Sequence, residues 1–328
     1  MKKSALILAC SLLCGMMAGA ADQPNAAALR GQALKVIGTL PNKIPGSEKD
    51  TALQVDLGKK LYFDTRLSLD NTVSCNTCHL VDKGQGGSDG KPVSDGVGGK
   101  KGNRNSPTVW NSCFNDVQFW DGRAPDLTEQ AKGPILNPVE MAMPNEKAVV
   151  EKLSKDTEYP AEFKAAFPNE ADALTFDNIA RAIAAYERTL VTQDRFDDFL
   201  KGDDKALNAR ELAGLNAFLK KGCTSCHKGP GLGGKGFYKM GLHRPYPNKE
   251  DLGRFDVTGK NADKLKFRVP NLRNIEVTAP YFHDGKVATL EDAVDMMGDI
   301  QIKKNLTEQE KADIVSFLKT LTGKELSK

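Results

Sequence analysis

Two copies of one short motif constrain this chain more than any other feature. The pattern Cys-x-x-Cys-His occurs at Cys75–His79 and again at Cys223–His227. Two thiols three positions apart can each add to a haem vinyl group, and the adjacent imidazole can then reach the iron. A zinc site or a thioredoxin-like dithiol is the alternative, while a disulfide framework would not need a histidine at the fifth position twice. The motifs therefore predict two covalently bound haem c groups, with Cys75, Cys78, Cys223 and Cys226 as attachment points and His79 and His227 as iron ligands.

The N-terminus has the pattern of a secretory signal. Lys2 and Lys3 precede an apolar stretch, and Ala18-Gly19-Ala20 follows it as a small-x-small cleavage site. The apolar stretch is shorter than the roughly 18 residues that a membrane span needs. We therefore expect residues 1–20 to be a signal peptide, and the mature chain to be exported to the periplasm without a membrane anchor.

Composition excludes several other classes of protein. The chain has 328 residues, of which 40% are hydrophobic and 27% charged, which is typical of globular domains. Without Lys2 and Lys3 the formal net charge falls from +3 to +1. A nearly neutral chain gives no electrostatic reason to expect nucleic acid or an acidic membrane as a partner.

Helical patterns flank each motif in the same way. Amphipathic stretches carrying Leu53, Leu57 and Leu61, and Leu212, Leu215, Phe218 and Leu219, precede the two motifs. Each half then closes with a capped helix, beginning after Thr175 and after Thr307 with Glu310. Glycine and proline are frequent between the helices. These patterns predict an all-α fold of two packed c-type cytochrome domains with long irregular loops, at residues 21–190 and 191–328, and an N-terminal segment that could pack on the other domain.

The repeat extends beyond the motifs. "RNSPTVWN" matches "FRVPNLRN", and "FWDGR" matches "FHDGK" in the same register. In that register Met297 of the second half corresponds to Pro134 of the first. A thioether at Met297 could ligate the second iron opposite His227, with Met240 and Met296 as competitors, and His/Met ligation suits electron transfer.

The first half has no such ligand, because proline has no donor atom. The first thioethers after its motif are Met141 and Met143, which flank Glu140 in "NPVEMAM". A carboxylate beside an open haem suits peroxide chemistry, since it can take a proton from one oxygen and return it to the other. The alternative for Glu140 is a solvated loop carboxylate.

These segments resemble the bacterial dihaem cytochrome c peroxidases, a family that also includes the MauG-type enzymes. The resemblance covers essentially the whole mature chain, through "SCNTCH", "RNSPTVWN", "FWDGR", "EQAKGP", "TFDNIARAI", "GCTSCH", "FRVPNLRN", "TAPYFHDGK" and "MMGDIQ". It implies a low-potential peroxidatic haem in the first domain. It also implies a high-potential electron-entry haem, ligated by His227 and Met297, in the second.

The resemblance also implies roles for other residues. Glu140 is similar to the acid–base carboxylate, Trp120 to the aromatic residue between the haems, and Gln130 and Phe119 to neighbours of the peroxide pocket. Asn105 and the carbonyl oxygens of Thr278 and Pro280 are similar to a calcium site between the domains. His283 would lie near the electron-entry haem without ligating it.

One position departs from the family pattern. Most members have a histidine in the loop after the first haem, which caps the peroxidatic iron until the other haem is reduced. Aligned on "GNRNSP", that position is Val97, which cannot ligate iron. Lys91, Lys100 and Lys101 are nearby, but each would first have to lose a proton. The hypothesis is a peroxidatic haem that is five-coordinate or water-bound when oxidised, in an enzyme that needs no reductive activation.

The expected reaction is reduction of hydrogen peroxide to water. By resemblance, the electron donor is a small soluble c-type cytochrome or a blue-copper protein, and the enzyme is a homodimer. Two alternatives are a dihaem electron carrier without catalysis and a MauG-like oxidase that modifies a partner protein. Met297 argues against the second alternative, because that subgroup is expected to use a tyrosine as the distal ligand of its second haem.

Overall fold

Helices dominate the architecture. The computed structural model describes residues 25–82, 86–302 and 306–326, so the predicted signal peptide at residues 1–20 lies outside the described residues. Within these ranges the α-helices are α1 (Ala26–Val36), α2 (Ala52–Phe63), α3 (Cys75–Cys78), α4 (Leu127–Leu136), α5 (Glu146–Leu153), α6 (Tyr159–Ala166), α7 (Phe176–Thr189), α8 (Arg195–Leu200), α9 (Ala209–Lys221), α10 (Phe255–Thr258), α11 (Leu290–Ile300) and α12 (Glu308–Lys319). Strands β1 (Phe237–Lys239) and β2 (Lys266–Arg268) form one antiparallel pair. The predicted all-α class is confirmed, and the chain has two cytochrome c-type domains.

The first domain is organised around the crossing of α2 and α7. Gly58 permits this crossing, because a Cβ atom there would lie 1.8 Å from the carbonyl oxygen of Ala182 and 3.0 Å from the Cβ of Tyr186. The rings of Tyr62 and Tyr186 pack edge to face at 5.2 Å. Thr175 caps α7, as the sequence predicted, by accepting from the amide of Asn178.

The second domain repeats this crossing with α9 and α12. A Cβ atom at Gly214 would lie 1.9 Å from the carbonyl oxygen of Asp313 and 2.9 Å from the Cβ of Phe317. Phe218 and Phe317 pack at 5.4 Å. The predicted capping box of Thr307 and Glu310 is confirmed at the start of α12. The two domains therefore share one helix arrangement, in which Tyr186 corresponds to Phe317.

Backbone conformation supports the register of the internal repeat. Asn111 and Asn274, the last residues of the matched segments, both have a left-handed conformation, with φ of 61° and 64°. The side chains of both asparagines donate hydrogen bonds to the hydroxyl oxygen of Thr192, over 2.9 and 3.1 Å. The two matched segments, one in each domain, are thus hydrogen-bonded to the same residue, Thr192.

The N-terminal helix α1 packs on the second domain, although it precedes the first in sequence. Leu29, Ala33 and Ile37 are buried in the same core as residues of α8, α9 and α12. Arg30 of α1 forms an ion pair with Asp204. The second domain is therefore covered by a helix from the opposite end of the chain.

Two arginines each bind more than one carboxylate, Arg104 between the domains and Arg273 within the second domain. Arg104 binds Asp251 through two hydrogen bonds of 2.7 Å, and also donates to Asp121 over 2.5 Å. Arg273 is fully buried and lies between the carboxylates of Asp194 and Asp197, at 2.6 and 2.8 Å. Among the described residues, no helix is both long and apolar enough to cross a bilayer.

Candidate haem sites and catalytic site

The two motif histidines have equivalent hydrogen bonds. The Nδ1 atom of His79 lies 3.0 Å from the carbonyl oxygen of Pro107, and that of His227 lies 3.0 Å from the carbonyl oxygen of Leu232. When Nδ1 carries the proton and donates it to a carbonyl, Nε2 keeps its lone pair for a metal. Burial lowers the pKa of both imidazoles, which favours the neutral form that ligates iron.

The second motif opens on a large cavity of about 530 Å³. Cys223, Cys226 and His227 lie on its wall, and Met297 of α11 lies there too. Burial raises the pKa of both thiols, so they are protonated in the absence of a haem. The site therefore combines two free thiols, a neutral imidazole and a thioether around one cavity.

Two buried polar side chains on this wall, Arg268 and His283, fit a haem. Arg268 is only 4% exposed, and its guanidinium donates to the carbonyl oxygens of Phe119 and Val269 over 3.2 and 3.3 Å. Burial lowers its pKa to about 10, at which the group is still charged near neutral pH. The Nε2 atom of His283 is also buried without a partner. A haem carries two propionates, and a buried guanidinium is a suitable partner for such a carboxylate.

The methionines differ in their position relative to the second cavity. Met297 and Met240 both lie on its wall, whereas Met296 packs against the second core. Met297 is on a helix, and Met240 follows β1 with its amide bonded to the carbonyl of Leu265 over 2.8 Å. Met297 as the distal ligand stays a prediction, with Met240 as its remaining competitor.

A second, smaller cavity of about 100 Å³ adjoins the first motif. Cys75, Cys78 and His79 lie on its wall together with Glu140 and Gln130. The fit of a haem here rests on this donor set, because both cysteines are free and the imidazole is neutral. The predicted acid–base carboxylate and its predicted neighbour Gln130 are thus brought together beside the first motif.

Glu140 lies in the loop between α4 and α5, in a mostly buried position. Asn137 donates a hydrogen bond of 2.7 Å to its Oε1 atom. Burial raises the pKa of Glu140, while the positive charge of Arg123 and the bond from Asn137 act in the opposite direction. The partly buried position of Glu140 on the cavity wall favours the catalytic interpretation over that of a solvated loop carboxylate.

The loop that lacks a histidine is a short hairpin against this site. Asp95 and Lys101 form an antiparallel bridge, and the amide of Val97 donates to the carbonyl of Glu140 over 2.8 Å. Gly96 lies on the cavity wall, while the Val97 side chain is 8% exposed and packs in the first core. The loop therefore supports the backbone of Glu140 but offers no ligand at position 97.

The lysines of this loop have other partners. Lys91 and Lys101 form ion pairs of 2.8 and 2.9 Å with Asp95, and Lys100 donates to the carbonyl of Pro138 over 3.4 Å. The hydrogen bond that Lys91 donates to Asp95 raises the pKa of Lys91. A protonated, paired ammonium group cannot ligate iron, so these contacts disfavour lysine ligation.

Phe119 and Trp120 occupy different places. The Phe119 ring packs against α4, where a Cβ atom at Gly133 would lie 3.2 Å from the ring. The Arg123 guanidinium stacks on the same ring, 3.4 Å from its centroid. Trp120 lies on the wall of the second cavity and donates from Nε1 to the carbonyl of Asn105 over 2.9 Å. Glu140 and Gln130 are therefore together, Trp120 is beside the second cavity, and Phe119 is on the wall of neither cavity.

The predicted calcium ligands Asn105, Thr278 and Pro280 line the second cavity near Trp120. The Nδ2 atom of Asn105 donates to the carbonyl of Lys91 over 3.0 Å, so its Oδ1 is left for another partner. In the described part of the chain, no cluster of three or more His, Cys, Asp or Glu side chains could hold a metal. A cation here would depend on neutral oxygen ligands, which calcium accepts.

Several residues of these sites were not predicted from the sequence. Met141 lies on the wall of the first cavity, next to Glu140. The positive charge of Arg123 lowers the pKa of Glu140. Arg123 matches Lys286 in the internal repeat, so the sequence already showed a positive charge at this position in both halves. Arg268 and Glu187 are buried polar groups on the second and first cavity walls respectively.

Comparisons with known proteins agree with this arrangement. The family described as "Di-haem cytochrome c peroxidase" matches residues 52–205, and the family described as "Cytochrome c" matches residues 212–322. Cytochrome c551 peroxidase of Pseudomonas aeruginosa is 48% identical over 313 residues, covering 92% of this chain and 88% of the relative. Cytochrome c551 peroxidase of Nitrosomonas europaea is 50% identical over 277 residues, covering 84% and 81%.

A solved structure is similar over nearly the same extent. It is a MauG-like protein associated with microbial copper homeostasis, with a TM-score of 0.78 and 32% identity, covering 88% of this chain and 96% of that one. The paired motifs, the repeated helix crossing and these relatives lead to one assignment. The chain belongs to the di-haem cytochrome c peroxidase family, whose members carry two haem c groups.

Proposed function

We propose that this enzyme reduces hydrogen peroxide to water in the first cavity, in the periplasm, with electrons from a small soluble c-type cytochrome or a blue-copper protein. The observation that carries the proposal is the position of Glu140, a mostly buried carboxyl group on the same wall as His79 and Gln130. Relatives sharing about half of the sequence are named as peroxidases. By family resemblance, the enzyme is a homodimer.

The residues of the first cavity move protons. A haem attached at Cys75 and Cys78 would supply the iron and the two electrons for O–O cleavage. Glu140 takes a proton from one peroxide oxygen and returns it to the other, so that one oxygen departs as water. Its raised pKa favours the return of the proton, and Asn137 fixes its orientation. Two protons then complete the conversion to a second water molecule, and two electrons from the donor replace those that the haem would have given. Gln130 holds the substrate by hydrogen bonding.

The residues of the second cavity conduct electrons. His227 and Met297 would hold the electron-entry haem, and Arg268 would be a partner for one of its propionates. Trp120, which lies on this wall and follows Phe119 in sequence, provides the aromatic path toward the first domain. A calcium ion held by Asn105, Thr278 and Pro280 would stabilise the contact between the domains.

The first site is active without prior reduction, because Val97 stands where most relatives have a ligating histidine. The pairing of Lys91 and Lys101 with Asp95 supports an open site. Met141 is the remaining candidate ligand among the described residues of this cavity wall.

The deciding experiment is a ferric spectrum of enzyme that has never met a reductant, recorded before and after stoichiometric peroxide. We expect one high-spin and one low-spin haem, with the high-spin signal lost on addition of peroxide, and turnover without a reductive step. The M141L variant should give the same ferric spectrum. Two low-spin haems with no activity until reduction would refute the open site, and loss of one low-spin signal in M141L would identify Met141 as the ligand.

The same spectra test the two alternatives. A non-catalytic carrier would show two six-coordinate haems and no response to peroxide. The observation that supports a MauG-like oxidase is the similarity to the MauG-like solved structure. Such an oxidase would respond to peroxide but would not turn over with a small electron donor.

A further inference from the structure

Glu187 is a buried carboxyl group on the wall of the first cavity. It belongs to α7, is only 4% exposed, and shares the wall with Cys75 and Ile183. Its Oε2 atom is buried and has no hydrogen-bond partner. An unsatisfied buried polar group destabilises a fold, so packing gives no reason for a glutamate here.

The second domain has an apolar residue at the corresponding position. The equivalent helix crossings align Tyr186 with Phe317, so the next residues, Glu187 and Leu318, also correspond. Leu318 lies on the wall of the second cavity, as Glu187 lies on that of the first. The same place in the same fold is therefore filled by leucine at one haem site and by glutamate at the other.

The surroundings of Glu187 are more polar than those of Leu318. Tyr62 and Tyr186 of the first crossing replace Phe218 and Phe317 of the second. The titratable and charged groups that interact electrostatically with Glu187 are Tyr62, Cys75, Cys113, Tyr186 and Arg188. The only cation in this set is Arg188, which is already bound to Asp50 through two hydrogen bonds of 2.5 and 2.7 Å.

We propose that Glu187 lowers the reduction potential of the first haem relative to the second, by placing a carboxyl group where the second cavity has Leu318. The inference rests on the proposed function, since it requires a haem attached at Cys75 and Cys78. A negative charge close to iron stabilises the ferric form over the ferrous form, and a leucine does not. The potential gap keeps the first haem oxidised while the second holds an electron.

The ionisation of this carboxyl is favoured by the haem itself. Burial raises the pKa of Glu187 to about 8 in the protein alone. A ferric haem carries a net positive charge at its centre, and a nearby positive charge favours a carboxylate. Ferric iron therefore favours the ionised form of Glu187, and the ionised form of Glu187 in turn favours ferric iron.

The test is an optical redox titration of the holoenzyme and of the E187Q and E187L variants. Glutamine keeps the size of the side chain and removes its charge, and leucine copies Leu318. We expect both variants to raise the reduction potential of the first haem by at least about 59 mV. For one electron this is a tenfold shift of the equilibrium between the haems toward the reduced first haem. The potential of the second haem should not change.

The matched control is E211Q. Glu211 is also buried, but it pairs with Arg195 and lies on neither cavity wall, so both potentials should keep their wild-type values. Unchanged potentials in E187Q and E187L would overturn the inference. A ferric spectrum of E187Q with altered spin or ligation would also overturn it, because Glu187 would then act on coordination. Peroxide turnover by the wild type tests the proposed function separately, since the potentials are measured without peroxide.

Discussion

The backbone amide of Val97 donates a hydrogen bond of 2.8 Å to the carbonyl oxygen of Glu140. Val97, the position at which the family resemblance predicts a histidine ligand, is thereby attached to the proposed acid–base residue. Movement of this hairpin would displace Glu140, because the bond joins the two backbones directly. The hairpin in this chain therefore acts as a fixed support of the first cavity.

Substitution of Gly96 should test this support. A Cβ atom at residue 96 would lie 2.2 Å from the carbonyl oxygen of Val139 and 2.6 Å from that of Glu140, so G96A must displace this backbone. A displacement of about 1 Å can lower a rate roughly 100-fold, and we expect kcat for peroxide to fall by that order. Gly102 lies on the same cavity wall with nothing within 4 Å of a Cβ atom. G102A should keep wild-type kcat, and equal losses in both variants would contradict the support role.

Glu140 should determine the acid limb of the pH–rate profile. The base must be deprotonated to accept a proton, so kcat/KM should rise with pH through the pKa of Glu140, which burial places above that of an ordinary glutamate. E140Q should abolish this limb and lower kcat/KM by about 10² to 10⁴. Steady-state kinetics from pH 4 to 9 would measure both effects, and a limb that survives in E140Q would assign it to another group.

Arg123 should set the position of that limb. Its positive charge lowers the pKa of Glu140, so R123A should move the acid limb to higher pH, while R123K should leave it nearly in place. The two profiles, recorded with the same donor, separate charge from the stacking of the guanidinium on Phe119. A shift in R123K as large as in R123A would indicate that the stacking, and not the charge, is responsible.

Met297 and Met240 can be distinguished by single substitutions. Removal of a thioether ligand should lower the potential of the second haem and change its low-spin spectrum. We expect this result for M297L and an unchanged spectrum for M240L, measured by redox titration and by ferric and ferrous absorption. The reverse result would make Met240 the ligand.

Arg273 should be essential for the stability of the second domain. It is buried between Asp194 and Asp197, and its loss would leave two buried carboxylates facing each other. Breaking a buried ion pair from one side costs about 3–5 kcal/mol, which urea unfolding of R273M should show. R210M removes a more exposed arginine that pairs with Asp313, and should cost at most about 1 kcal/mol. Equal costs would contradict a special role for the buried pair.

Local patterns in the sequence predicted much of this molecule. Helix caps at Thr175 and Thr307 depend on neighbours a few positions away, and the structure has both. The register of the repeat was also predictable from matched residues, and the structure gives the matched asparagines the same left-handed backbone conformation. Leu53 illustrates the limit of periodicity, since it follows the apolar pattern of α2 but is 54% exposed.

Features that depend on distant contacts were not predictable. The pairing of Arg104 with Asp251 joins positions far apart in sequence, and no local pattern indicates it. The position of Met141 on the cavity wall depends on the direction of an irregular loop. Glu187 had a readable signal, because it follows Ile183 by one helical turn on the buried face of α7, but its unpaired state depends on the whole cavity.

The position of α1 has a consequence for biosynthesis. A chain is made from its N-terminus, and domains usually fold in that order. Here the first described helix packs on α8 and α9, which are synthesised much later. Its apolar face, with Leu29 and Ile37, must therefore stay uncovered while the first domain forms. The molecule is completed only when its first described helix docks on α8 and α9 of the second domain.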